Sequence, residues 1–338
     1  MHPLEPTLRT DVAALATATG RMVGSPGHAD AARFLCQRMT DLRLEPYGGA
    51  DDHRLTYQQD GQAFCNLVGV LPGKDRAARP ILLGAHYDSV IDAPCADDNA
   101  AAVAITLAVA GLLRDAPPAR DVVVAFFDAE EPPYFHTPAM GSTRFVLDQM
   151  DARGVGLALI QDLTGHEVEV PFVPAGIAGA VLGRVRNLLF MTGAESHPAL
   201  PALVRAGLPA EGLSLVAALN EYVGDMSDHH AFRTMGLPYL FFSCGRWEHY
   251  HRRSDTPEKL AYGKMARIAD FLGGVARRCA AQDLPRAGAH DTAAFEVELL
   301  KEALGRFLPL ALPLVGLKTL ETRADLDALA KRLLALEL

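Results

Sequence analysis

Two short apolar runs, ILLGA from Ile81 and VVVAFF from Val122, stand on either side of a long alanine-rich segment. Each run has strand length and branched or aromatic content, and residues 99–114 between them have the length of a crossover helix. The pattern predicts a strand–helix–strand unit. Both runs end in polar residues: His86 and Asp88 after the first, Asp128 and the pair Glu130-Glu131 after the second. In open α/β sheets the carboxyl ends of the strands are where ligands bind. Acids gathered there repel one another and are costly to desolvate, and a divalent metal would offset both costs.

The same reading extends along the chain. An amphipathic helix is expected over 6–20, then a turn at Ser25-Pro26-Gly27 and a second helix over about 28–39, with His28 in its first turn. Further strands are expected over 65–71, 156–161, 187–191 and 237–243, and helices over 143–150 and 257–279. Asp162 follows the third apolar run. Residues 164–185 show no clear period and read as an insertion, while 197–206 and 209–217 read as short helical or loop segments. A linker-like stretch at 285–290 divides a core of residues 1–285 from a helical C-terminal extension, 286–338. No period of 20–50 residues recurs, so no repeat architecture is expected.

Composition narrows the function classes. Of 338 residues, 49% are hydrophobic and 22% charged, ordinary for a soluble globular chain. A formal charge of −9 leaves no basic surface, so neither nucleic acid nor a membrane is an expected partner. No apolar run reaches the ~18 residues of a membrane span. The first residues lack a signal-peptide pattern, although a mature secreted form would look the same. The five cysteines show no CxxC spacing. Free thiols in a reducing compartment, and hence a cytoplasmic location, are the expectation.

The candidate chemistry lies after the strands. His86, Asp98, Glu131, Asp162 and His251 are the candidate metal ligands. Two imidazoles and three carboxylates suit zinc, or two zinc ions if one carboxylate bridges. Glu130 is then free to act as general base, because neighbouring residues in extended backbone point to opposite sides. Each motif alone has an ordinary reading: ADDN can be a helix N-cap, and a paired glutamate can be a solvated surface. Their order and repeated position after strands favour the metal.

GAHYDS, CADDNAAAVA, FDAEE, the Asp of IQDLTG and YHRRSDTPEKL together resemble, in order, the motifs of the co-catalytic zinc aminopeptidases, a family that includes glutamate carboxypeptidases and animal-type glutaminyl cyclases. The resemblance spans about residues 21–279. It implies a three-layer α/β/α sandwich with a mixed, mostly parallel central sheet, to which the helical tail is added. It further implies that His86 and Asp162 hold one zinc, Glu131 and His251 the other, and that Asp98 bridges them. Glu130 matches the general base, and Asp88 matches the acid that orients His86. Two departures stand out. Cys95 replaces the glycine that often precedes ADDN. Gly224 stands where some relatives carry an oxyanion-stabilising tyrosine, with Tyr222 or Tyr250 as possible substitutes.

The implied activity is a zinc metalloexopeptidase, an aminopeptidase acting on peptides or small aminoacyl substrates. The alternative is a glutaminyl cyclase with one zinc, although that branch favours a tryptophan immediately before the last histidine ligand, where this chain has Tyr250. A non-catalytic binding domain is a third reading, set against intact ligand positions. A homo-oligomer built through the C-terminal tail is a further expectation.

Overall fold

The computed structural model describes residues 1–168, 183–208 and 212–335. Among the described residues, nine strands form one sheet: β1 (Glu45–Pro46), β2 (Arg54–Gln59), β3 (Gln62–Leu71), β4 (Ile81–His86), β5 (Val122–Phe127), β6 (Leu157–Gln161), β7 (Leu188–Thr192), β8 (Ser214–Ala217) and β9 (Tyr239–Ser243). Their order is β1-β3-β5-β4-β6-β9-β7-β8, with β2 paired to β3. The centre, β5-β4-β6-β9, is parallel, whereas β3–β5 and β7–β9 are antiparallel. The sheet is therefore mixed, as expected.

The central strands are buried throughout, which is why they read as continuous apolar runs rather than alternating ones. Alternate residues still divide between two cores. Ile81, Leu83, Val122, Val124 and Phe126 join one apolar cluster, and Leu82, Val123, Ala125 and Phe127 join the other. The first core is capped by helices α1 (Glu5–Leu15), α2 (Pro26–Asp41), α3 (Ala102–Asp115) and, later in the chain, Tyr262–Ala280. The second is capped by α4 (Gly141–Arg144), which continues as the wider turn Phe145–Gln149, and by His229–Thr234, through Phe145 and Phe232. Three layers result. Gly84 permits this closeness: a Cβ there would come within 2.8 Å of both Phe127 and Ile160 side-chain carbons.

Further helices include α5 (Leu200–Arg205), α6 (Asn220–Val223), α7 (His229–Thr234), α8 (Tyr262–Ala280), α9 (Ala293–Leu304), α10 (Leu308–Leu314) and α11 (Arg323–Ala335). Ser25 caps α2 by accepting a hydrogen bond from the His28 amide at 3.1 Å. By length and composition, Ala96–Asp115 could cross a membrane, contrary to the sequence expectation, but 89% of its apolar window is buried in this protein. It is the core helix of the α3 layer and the approach to it.

Several elements differ from expectation. β1 and β2 were not legible, because both lie at a sheet edge and carry mixed burial. Ser214–Ala217 is a strand instead of a helix or loop, recruited by parallel pairing with β7. Residues 257–259 form a separate short turn before α8. Of the expected insertion at 164–185, residues 169–182 lie outside the described residues. In the extension, α9 presents Phe295 and Leu299 to the first core, while Val297, Leu320 and Leu326 form a small cluster of their own.

Candidate active site

Five polypeptide turns converge past the carboxyl ends of the parallel strands. β4 ends in His86, β5 is followed by Glu130 and Glu131, β6 by Asp162, and β9 by the loop bearing His251. Asp98 comes from the turn Ala96–Ala101, where it and Asn99 leave helical geometry before α3 begins. That departure corrects the expectation of a helix starting at residue 99. It is also what turns the Asp98 carboxylate toward the strand ends.

The structure brings all seven sequence-predicted residues together. His86 Nε2 lies 3.4 Å from Asp98 Oδ1, 3.6 Å from Asp162 Oδ1 and 3.7 Å from Glu130 Oε2. His251 Nε2 lies 3.2 Å from Asp98 Oδ2 and 3.2 Å from Glu131 Oε2. Asp98 thus offers one oxygen to each imidazole. Asp88 sits behind: it accepts a hydrogen bond from His86 Nδ1 at 3.2 Å and from the amides of Glu130 and Glu131 at 3.1 Å each. One carboxylate therefore fixes the ring orientation of His86 and the course of the chain that carries both glutamates.

These donors fit a metal. His86 Nε2, Asp98 Oδ2, Glu131 Oε1, Asp162 Oδ1 and His251 Nε2 are buried atoms that make no hydrogen bond. Buried polar atoms are normally paired, so five orphans facing one another need a common partner. Donor atoms of His86, Glu130 and Asp162 lie within 4.8 Å of one another, as do those of His86, Asp98 and Glu131. The nitrogen and oxygen donor set suits zinc.

Local backbone geometry adds to this. Cys95, Ala129, Leu163 and His251 all have positive φ, between 43° and 58°. Each is a donor or lies within three residues of one. A non-glycine residue held there costs about 1–3 kcal/mol, and such residues gather where surrounding structure imposes a functional shape. No composition signal announces this.

The site's electrostatics point the same way. Burial, reinforced by neighbouring acids, pushes Glu130 well above the usual carboxylate range, with the charge of His86 opposing. Burial and Asp98 raise Glu131 to about 8, and burial raises Asp162 and takes Asp228 to about 7. Burial works against charge on His251, yet Asp98 and Glu131 hold it up at about 10. Burial also works against the Asp98 carboxylate, but the two imidazoles facing it, His251 and His86, outweigh burial and hold Asp98 below its ordinary range.

A pH prediction follows for the metal-free protein. Acids raised in the folded state stabilise it below their unfolded values, near 4, and that stability is lost as pH climbs through about 8. His251, and His86, whose burial is outweighed by Glu130, Asp162 and Asp88, are raised as well and act in the same sense, their stability being complete below about 6.5. Zinc binding requires the donors deprotonated, so its affinity rises over the same range. The metal-free melting temperature is expected to fall from pH 5 to pH 8, while the upward shift caused by zinc grows. A zinc-induced shift that does not change with pH in thermal unfolding would count against these donors.

Sequence reasoning missed the supporting ring. Asp97 accepts hydrogen bonds from the Gly165 amide and His166 Nδ1, both at 2.6 Å. Asp255 accepts from the amides of Asp97 and Asp98 at 2.9–3.1 Å. His28, in the first turn of α2, bonds Asp128 at 2.8 Å and stacks on Tyr87. Asp97 and Asp255 stood inside conspicuous motifs, ADDN and SDTPEKL, but nothing in the pattern showed that they would meet. Of the two tyrosines considered for the oxyanion, Tyr222 is engaged elsewhere, its hydroxyl bonding Asp327 and Arg323. Tyr250 stacks on His251 with ring centroids 3.8 Å apart.

An open α/β sheet that gathers paired imidazoles and carboxylates beyond its strand ends has the make-up of a metal-dependent hydrolase. Residues 66–276 match Peptidase family M28, and the chain belongs to that family. Among curated relatives, the Escherichia coli protein YfbL is 28% identical over 218 residues, covering 56% of this chain and 64% of that one. Mouse endoplasmic reticulum metallopeptidase 1 is 25% identical over 229 residues, covering 64% of this chain and 22% of that one. The chain thus spans less than two thirds of the length of these relatives.

Solved structures share the fold. The Legionella pneumophila LapA aminopeptidase superposes with a TM-score of 0.65 at 17% identity, covering 82% of this chain and 71% of that one. A Zn-dependent exopeptidase from Parabacteroides distasonis gives 0.62 at 15%, covering 81% and 97%. Fimbriiglobus ruber glutaminyl cyclase gives 0.64 at 20%, covering 82% and 96%.

Proposed function

We propose that this chain is a zinc-dependent aminopeptidase that hydrolyses the first peptide bond of its substrate. The observation that carries the reading is the split Asp98 carboxylate, one oxygen directed to His86 and the other to His251. His86 and Asp162 would hold one ion, Glu131 and His251 a second, with Asp98 shared. Bound there, zinc would supply Lewis acidity for the scissile carbonyl and an acidified water.

The chain's own residues do the rest. Glu130, buried beside the donors and with raised proton affinity, takes a proton from the attacking water and delivers it to the departing amine. Asp88 keeps His86 Nδ1 protonated, which leaves Nε2 as the donor. Burial of the cluster excludes bulk water and strengthens every charge interaction within it. The free amine of the substrate suits the acid-rich surroundings, where Asp228 is fully buried with both carboxylate oxygens unpartnered.

Asp228 also favours the second reading, a glutaminyl cyclase, in which an acid handles the proton of an internal amine nucleophile. Against that reading, Tyr250 precedes His251, and the chain's single tryptophan is committed elsewhere: Trp247 stacks on His166 at 4.7 Å. Among the cations of this loop, Arg253 is paired with Asp92, while Arg246 rests over the Tyr250 ring at 5.0 Å.

The deciding measurement is zinc stoichiometry with turnover on aminoacyl chromogenic substrates and a peptide beginning with glutamine. About two zinc ions per chain and chelator-sensitive release of free amino acid are expected. About one ion, with ammonia released from the glutamine peptide and no hydrolysis, would establish the cyclase instead.

A further inference from the structure

Beneath the donor cluster lies a cation that neither the ligand set nor the proton chemistry employs. Arg21 is 1% exposed. Its guanidinium donates to the carbonyls of Tyr87 at 2.9 Å, Leu15 at 3.0 Å, Pro94 at 2.8 Å and Cys95 at 2.9 Å, with a longer contact to Asp98 O at 3.4 Å. Its amide donates to Ser89 Oγ at 2.7 Å, and the Ser89 amide donates back to Arg21 O at 3.2 Å. Among the described residues it makes no ion pair, although Asp88, Asp98 and Asp255 act on it through space. An arginine buried without a carboxylate partner is expensive, so its retention calls for a structural reason.

The carbonyls it gathers supply that reason. Four of the five belong to the segment 87–98. One end of that segment follows His86 directly and carries Asp88, and the other ends at Asp98. The segment has no regular hydrogen-bonded structure until Ala96, and Cys95 within it is held at a φ of 43°. Its inward-facing carbonyls would otherwise be buried without donors, a costly arrangement. Only a planar fork with several N–H groups can serve carbonyls lying in several directions at once. We infer that Arg21 is a positioning residue: it sets the loop that brings Asp98 opposite His86, and through it the affinity and geometry of the metal centre.

Charge and geometry make opposite predictions here. A buried positive charge near the donors repels a metal cation, so if Arg21 mattered only as charge, Arg21→Met would bind zinc more tightly and Arg21→Lys would match the wild type. If Arg21 acts by shaping the loop, both variants bind zinc more weakly. Lysine keeps the charge but cannot span the carbonyls. The expected loss is about 10- to 100-fold in zinc affinity, the range for partners that orient metal ligands. At saturating zinc, kcat should fall more than KM rises, and the cobalt(II)-loaded variants should show an altered visible spectrum.

The inference rests on the zinc reading of the site, so the experiment uses full-length protein and measures the wild type first. Zinc affinity is taken by chelator competition, with melting temperature recorded in parallel. A wild type that binds no zinc would remove the metal reading itself. A wild type that binds zinc, with both variants equal to it or tighter, would overturn the role given to Arg21. Should Arg21→Met fail to fold, Arg21→Lys and Ser89→Ala decide: the latter leaves the guanidinium intact and removes the hydroxyl that accepts from the Arg21 amide and donates to Ile91 O within the same loop. Unchanged zinc affinity and cobalt spectrum in both would likewise overturn it.

Discussion

Replacing Glu130 with glutamine is expected to leave zinc content unchanged while lowering kcat by about 10²- to 10⁴-fold, the range that a positioned proton carrier contributes. The substitution keeps the volume and one oxygen but removes the capacity to accept a proton. The geometry makes the test sharp, because Glu130 Oε2 is only 3.7 Å from His86 Nε2 and falls within the donor group of His86 and Asp162. A ligand role is therefore sterically open to Glu130. The two roles separate in the outcome. A ligand replaced by an amide would release metal, whereas a base replaced by an amide would retain metal and lose turnover. KM should move little if the bound substrate is held by other groups. Substantial retained activity would defeat the assignment of Glu130 as base, and loss of zinc would recast it as a ligand.

The sequence disclosed this centre because its donors sit at fixed offsets from buried strands. His86 closes β4, Glu130 and Glu131 follow β5 by a few residues, and Asp162 follows β6 directly. The run-then-acid pattern thus encodes their convergence, and the family resemblance added the division of labour. The supporting residues had no such local mark. Arg21 lies 77 positions before Asp98, and Asp255 lies 157 after it. Their meeting depends on loop paths that hydrophobic periodicity does not describe. The sheet margins were obscure for a different reason. β1 and β2 carry mixed burial without clean alternation, and β8 alternates over only four residues, SLVA, three of them apolar, so pairing with β3 or β7 is what defines them.

Asp98→Ala should have the largest effect on metal content of any single substitution at the site. Asp98 alone touches both imidazoles, with Oδ1 3.4 Å from His86 Nε2 and Oδ2 3.2 Å from His251 Nε2. Removing it takes an anionic donor from each proposed ion at once. Outer-shell partners alone are worth about 10- to 100-fold in affinity, so losing a shared ligand should cost at least about 100-fold. Glu131→Gln provides the contrast, since the imidazole that Glu131 pairs with is His251, at 3.2 Å. Its loss should weaken one ion and leave the other bound near His86 and Asp162. The expected series by elemental analysis after mild dialysis is two ions for the wild type, about one for Glu131→Gln, and the fewest for Asp98→Ala. Without zinc, Asp98→Ala also takes away one of the two anions, with Glu131, that hold His251 protonated, so the His251 pKa should drop toward the ordinary range in histidine NMR titrations. Equal zinc content in Asp98→Ala and wild type would remove the shared-carboxylate geometry from the centre. Equal loss in the two variants would mean that the ions bind as one cooperative unit.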